Sequence, residues 1–445
     1  AGYMPIYHKD INEFLNINME KILKAKTYYS GMPFAHDTYN AISKASDGKI
    51  YYILSSELID QGGKLFVYDP VIDQPTLLGD LTAICGEADA GAVSQGKSHA
   101  RFYEYQGKLY FSTHVGYYEM IDGMERLPVN MPDGIAPYPG GHILSYDLSN
   151  GEFADLCTAP NGEGIVAMNM DVKRGQVFAI TWPTGLFLHY DIQTGQLLNL
   201  GPVAANGEAG MPGADFRTLC RSILVDGDGN AYFSIADGSI FCYAAELKKL
   251  QLLPIHLRLD YFGTYDHTRP GSMAFNWRKI FWYEPEQIAY GVHGNSGYLF
   301  RFDPKSPSIQ VVQRISSIAS QKSGMFDQFS YGYLGFQLGP DGETIYYLTG
   351  SPVFEKGQRV TGLSEIAKGG SKGRENLHLI TYHIPSQTYQ DHGAIYYKNG
   401  EQPSYVNAIA VGDDDAIYTL GRMVHEGTEI ADLIKIPNPF TKDHV

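Results

Sequence analysis

The chain has 445 residues and a formal net charge of −15, with 34 Lys and Arg against 49 Asp and Glu. That balance argues against a nucleic-acid backbone as partner, which needs clustered cations, and no run approaches the roughly 20 apolar residues of a membrane-spanning helix. Tyr (33) and Gly (49) are abundant, a composition suited to short strands and tight turns.

From the N-terminus, residues 9–26 carry apolar side chains at helical spacing (Ile11, Phe14, Leu15, Ile22, Leu23), which predicts a short helix. A repeat then takes over. An apolar run ends in an aromatic residue followed by Asp or a substitute: LFVYDP (65–70), HILSYD (142–147), LFLHYD (186–191), SIFCYA (239–244), LFRFDP (299–304), LITYHI (379–384) and a degenerate DLIKIP (432–437). Most copies follow a Gly-containing turn and an earlier run such as KIYYIL, KLYFST or QVFAIT. A four-strand unit recurring every roughly 40–80 residues is the signature of a β-propeller. The expected fold is therefore all-β: one seven-bladed β-propeller domain over 1–445, with four-stranded antiparallel blades. Residues 1–35 form an N-terminal segment and 36–440 the blades.

The blades fall at about 40–81, 98–158, 164–202, 218–255, 272–315, 333–396 and 404–440. Blade two carries an insertion, ERLPVNMPDGIAPYPGG, between its second and third strands. In blade four, DGDGN (226–230) reads as a hairpin turn, since it lacks the later Glu of a calcium loop. Blade six carries a polar insertion, EKGQRVTGLSEIAKGGSKGRE, expected to be a mobile loop. Blade seven has a weak outer strand, so a strand from near residues 26–34 is expected to close the ring and remove the last open sheet edge. Cys85, Cys157, Cys220 and Cys242 show no CxxC spacing and read as buried small hydrophobes, with a disulfide left open.

A propeller gathers loops from every blade around one axis. The first strand of a blade starts, and the second ends, on the same face. In SHARFYEYQGKLYFSTH, His99 opens the first strand of blade two and His114 closes the second, so both imidazoles should reach the central pocket. The same rule selects His36 before blade one, Trp182 at the end of the second strand of blade three, Arg221 in blade four, and Arg278, Tyr290 and His293 in blade five. Arg can hold a carboxylate bidentately, and His moves protons near neutral pH. Together they suit a uronic acid: neutralising the carboxylate acidifies the adjacent C–H, a His or Tyr removes that proton, and the 4-linked sugar is expelled by β-elimination. No metal-ligand spacing, Walker loop, HExxH or GxSxG occurs, and no cofactor is required, although a structural metal is compatible with the chain.

The segments SHARFYEYQGKLYFSTH, ITWPTGLFLHYD, CRSILVDGDGNAYF and IAYGVHGNSGYLFRFD resemble seven-bladed propeller enzymes that cleave rhamnose–uronate linkages: rhamnose-α-1,4-glucuronate lyases, ulvan lyases and related α-L-rhamnosidases acting on arabinogalactan side chains. The resemblance spans about residues 36–436. It implies His99 and His114 as the His pair of the lyases, Arg221 as carboxylate neutraliser, and His293 as a further pocket residue. Trp182 stands where those lyases have a catalytic Tyr, so Tyr117, Tyr118 or Tyr290 would have to replace it. The hydrolases are implied to use a different, posterior pocket through a His near blade one, for which His36 is the nearest match. An acidic polysaccharide is thus the expected partner, of arabinogalactan or ulvan type, with hydrolysis of the same linkage or non-catalytic glycan or protein binding as alternatives. The chain begins at Ala1 rather than Met, consistent with a removed signal peptide and a periplasmic or extracellular location.

Overall fold

A computed structural model describes residues 22–440, except 38, 122, 258, 263–264, 271–272, 294–295, 324–334, 353, 357, 360–374 and 404. The chain is a seven-bladed β-propeller. Six blades each run from inner to outer strand in chain order, antiparallel throughout. Blade one is Ile42–Lys44, Ile50–Leu54, Lys64–Asp69 and Gln74–Asp80. Blade two is Tyr103–Tyr105, Lys108–Ser112, His142–Asp147 and Phe153–Thr158; blade three is Gly164–Asp171, Gln176–Trp182, Leu186–Asp191 and Leu197–Pro202. Blade four is Leu224–Val225, Ala231–Ser234, Ser239–Ala244 and Lys249–His256; blade five is Lys279–Tyr283, Ile288–Val292, Tyr298–Asp303 and Ser308–Arg314. Blade six is Gly335–Leu338, Thr344–Pro352, Glu375–His383 and Thr388–Tyr397.

Blade seven supplies Ala410–Val411, Ile417–His425 and Thr428–Ile436. Its outer strand is Leu23–Thr27, antiparallel to the third through Lys26↔Lys435 and Thr27↔Ile434. The N-terminus therefore closes the ring as expected, but slightly earlier than residues 26–34. The C-terminal part of the helix expected over 9–26 is this strand; residues 9–21 lie outside the described residues. Leu23–Thr27 also runs parallel to the outer strand of blade six, through Leu23↔Ile395, which joins blades six and seven into one sheet. Most of the blade-six insertion lies outside the described residues; its start forms the short pair Phe354–Glu355 and Gln358–Arg359.

Second strands are sandwiched between neighbouring blades and are apolar on both faces. Ile50–Leu54 and Ile288–Val292 are buried at every position. Blades pack through aromatic side chains, such as Phe178, Phe187, Phe233 and Tyr243 between blades three and four. Each such burial contributes about 1.5–3 kcal/mol. The DGDGN turn is a hairpin: Asp226 accepts from the amides of Asp228 and Asn230 and from the Tyr232 hydroxyl. All four cysteines are free thiols; Cys157 is partly exposed and the others are buried. Among the described residues, no helix is long and apolar enough to cross a membrane and no metal-binding group of His, Cys, Asp or Glu occurs.

Candidate functional site

Inner strands of all seven blades line one central cavity of ≈ 530 Å³. Contributors include Asn40 and Ile42 (blade one), His99 and Arg101 (two), Met168 (three), Arg221 (four), Lys279 (five), Phe336 (six) and Ala408 (seven). The volume falls within the range of small-molecule pockets.

His99 and His114 do meet, but not through the blade hairpin. The first strand of blade two begins only at Tyr103, and His99 sits in the run before it. Upstream, Gln95–Lys97 pairs with His114–Val115 in a separate two-stranded sheet with Lys97 opposite His114. This places the imidazoles edge to face, 4.6 Å between centroids. The packing requires glycines at two places. A Cβ on Gly116 would fall 1.9 Å from the Ser56 carbonyl, and one on Gly164 would fall 2.2 Å from His114 Nδ1. Gln95 is fixed in turn, donating to Glu87 (2.8 Å) and the Gly140 carbonyl (2.8 Å) while accepting from the Tyr138 hydroxyl (2.6 Å).

Around this pair stand Tyr39 and Lys97, which no sequence pattern singled out, together with the expected Tyr118 and Trp182. The Tyr39 ring lies 4.2 Å from His99. Lys97 is fully buried, yet its ammonium donates to the Tyr39 hydroxyl (2.7 Å) and lies over the rings of Tyr39 (4.5 Å) and Tyr118 (4.7 Å). Burial, then the nearby Tyr405, Asp37 and Glu57, pushes the Tyr39 phenol well above its usual pKa, so it remains a neutral hydroxyl. Trp182 closes the other side, edge-on to His114 at 5.5 Å and to Tyr118 at 5.3 Å. His99 lines the cavity, whereas His114 is 1% exposed and stands behind it.

Contacts continue in both directions. Lys97 approaches Glu57 at 3.5 Å, and Glu57 pairs with His36 at 3.2 Å. The His36 side chain is 48% exposed, at the rim rather than in the cavity. On the far side, the Trp182 Nε1–H donates to Glu208 (3.3 Å), and Glu208 takes both Nη groups of Arg221. Arg221 therefore lines the cavity with its fork already matched to a carboxylate, and the role of carboxylate neutraliser expected for it is corrected. Trp182 packs and hydrogen-bonds; it does not line the cavity.

None of the three blade-five residues expected in the pocket lines it. His293 is fully buried, stacked on Phe262 at 4.2 Å, with Ser296 on Nδ1 (2.8 Å) and the Ala274 carbonyl on Nε2 (3.2 Å). Burial lowers its pKa to about 4, leaving a neutral packing residue. Tyr290 points between blades five and six toward the opposite face, where its hydroxyl meets Glu286 at 3.1 Å. Arg278 is 5% exposed and donates to Asn407 (3.2 Å) from behind the cavity wall. Its neighbour Lys279 enters the cavity instead and donates to Asn40 of blade one.

No family model and no curated protein matches the chain. Among solved structures, it is similar to a streptogramin B lyase, 11% identical, with 93% of this chain and 97% of that chain covered at a TM-score of 0.52. A Bacteroides uniformis protein described provisionally as a 6-phosphogluconolactonase is 11% identical over 85% of this chain and 95% of that chain, at a TM-score of 0.46. At such identities the likeness concerns the fold alone.

Proposed function

We propose that the protein cleaves a uronate-containing glycan, at a rhamnose–glucuronate or similar linkage, by β-elimination in the central cavity. The observation that carries this reading is the cluster of Tyr39, His99 and His114, with ring centroids 4.2 and 4.6 Å apart, opening onto the cavity through His99. His99 is the catalytic residue. Its imidazole removes the proton on the carbon beside the carboxylate, the bond to the 4-linked oxygen breaks, a C=C bond forms, and the imidazolium returns a proton to the departing oxygen. His114, Tyr39 and Lys97 are positioning residues, buried behind His99 and fixing its ring. The product end is an unsaturated uronate, with no bound cofactor consumed.

A second reading, hydrolysis of the same linkage, draws on the exposed His36 imidazole with Glu57 at 3.2 Å. Incubation with rhamnose-capped glucuronate oligosaccharides separates the two. Elimination gives near-ultraviolet absorbance that disappears in His99→Ala and survives His36→Ala. Hydrolysis gives free rhamnose without absorbance and the reverse sensitivity.

A further inference from the structure

β-Elimination also requires positive charge against the substrate's carboxylate, and Arg221 is already matched by Glu208. Lys44, Arg101, Lys173 and Lys279 also line the cavity, and two of them converge inside the ring. Lys279 opens the inner strand of blade five and reaches across to Asn40 of blade one, so its ammonium lies inside the ring. Arg101 enters from blade two, resting over the Tyr103 ring at 5.6 Å. Neither forms an ion pair among the described residues, and the buried Arg101 Nε finds no hydrogen-bond partner among them.

The carboxylates that also line the cavity are committed elsewhere. Glu104 accepts from the Ser46 amide (2.8 Å), Asp171 pairs with Arg174 (3.0 Å), Asp226 caps its turn, and Glu284 accepts from Trp282 Nε1 (2.8 Å). Other ionisable groups in the cavity lining are Lys44, Lys173, Arg221 and His99, while Arg278 stands behind Lys279. Placing two cations in a confined space without an opposing charge is costly unless a ligand supplies that charge.

We propose that Lys279 and Arg101 form an oxyanion-binding site inside the ring, which holds a carboxylate or sulfate group of the sugar that enters the cavity. This rests on the β-elimination reading for its biological meaning, but not for its binding chemistry. Burial, then the charges of Arg278 and Arg101, drives the Lys279 pKa well below its usual value, so the empty site disfavours the charged ammonium. A bound oxyanion reverses that balance. Binding then takes up a proton, and affinity falls as pH rises through the window between the empty and loaded pKa values.

The test is calorimetric titration of the full chain with sodium sulfate and, separately, sodium glucuronate, each in two buffers of different ionisation enthalpy. The expected result is saturable binding whose apparent enthalpy differs between buffers. Binding should be weakened at least about tenfold in Lys279→Met and retained without the buffer difference in Lys279→Arg, with folding checked by circular dichroism. Stronger binding of glucuronate than of sulfate assigns the site to a carboxylate; equal binding assigns it to any oxyanion of that size. Failure of both ions to bind, or binding unchanged in Lys279→Met, overturns the proposal. His99→Ala separates the two ideas: it should retain oxyanion binding while losing unsaturated product.

Discussion

His114 sits opposite Lys97 in a two-stranded sheet outside the blade, and this single register position sets its imidazole edge-on against His99. The same pairing buries Lys97 beneath Tyr39, so one short ladder assembles a phenol, two imidazoles and an ammonium. Four expectations follow from that arrangement and its surroundings.

His99→Ala should lower kcat by about 10²–10⁴-fold, the usual worth of a positioned proton-transfer group. The fold should be unaffected, because His99 opens onto the cavity rather than filling the core. Steady-state kinetics with circular dichroism of the variant measure both.

Gly164→Ala should act on the same step from behind. The new methyl would fall 2.2 Å from His114 Nδ1, so the ring must move. Overpacking of this kind costs about 1–3 kcal/mol. A lowered Tm with a fall in kcat larger than any change in KM is expected; unaltered kcat would mean that His114 does not position His99.

Glu208→Ala should destabilise by about 3 kcal/mol, since it strands the Arg221 guanidinium in a largely buried setting. It also removes acceptors from Trp182 Nε1 and the Leu219 amide. Glu208→Gln keeps the shape and releases charge on Arg221. If Arg221 is structural, its KM stays near the wild-type value; a KM several-fold lower would restore Arg221 as a substrate ligand.

Stability should depend on pH through His142, which ties blade two to Glu87 in the loop leading to Lys97. Burial opposes charge on this imidazole, but the hydrogen bonds it donates to Glu87 (2.7 Å) and Asp155 (2.9 Å) outweigh it and raise the pKa. A raised folded pKa means stabilisation that is complete below the unfolded value of about 6.5 and is lost as pH rises through the folded value. Chemical denaturation across that range should show a decline that His142→Gln lacks.

The propeller was legible because every blade must alternate side chains and end its strands in turn residues, so the pattern recurs with the fold. The site was only partly so. Position at a strand end predicts height along the axis, but the period of two decides which way a side chain points. His99 and Arg221 fell on the cavity side, whereas Tyr290 fell between blades and His293 in a buried loop. Tyr39 and Lys97 carry no spacing signal: Tyr39 precedes the first strand of blade one, and Lys97 lies on a ladder outside the blade repeat. Lys279 was within reach of the same rule that selected Arg221, since it opens the first strand of its blade.

The most direct test of the central claim is to incubate wild type and His99→Ala with a glucuronate-containing, rhamnose-linked oligosaccharide. Near-ultraviolet absorbance and product mass are followed together, in water enriched in ¹⁸O. β-Elimination predicts rising absorbance, products that sum to the mass of the substrate with no label gained in cleavage, and loss of both signals in His99→Ala. Cleavage with flat absorbance and one labelled oxygen incorporated, undiminished in His99→Ala, would contradict it.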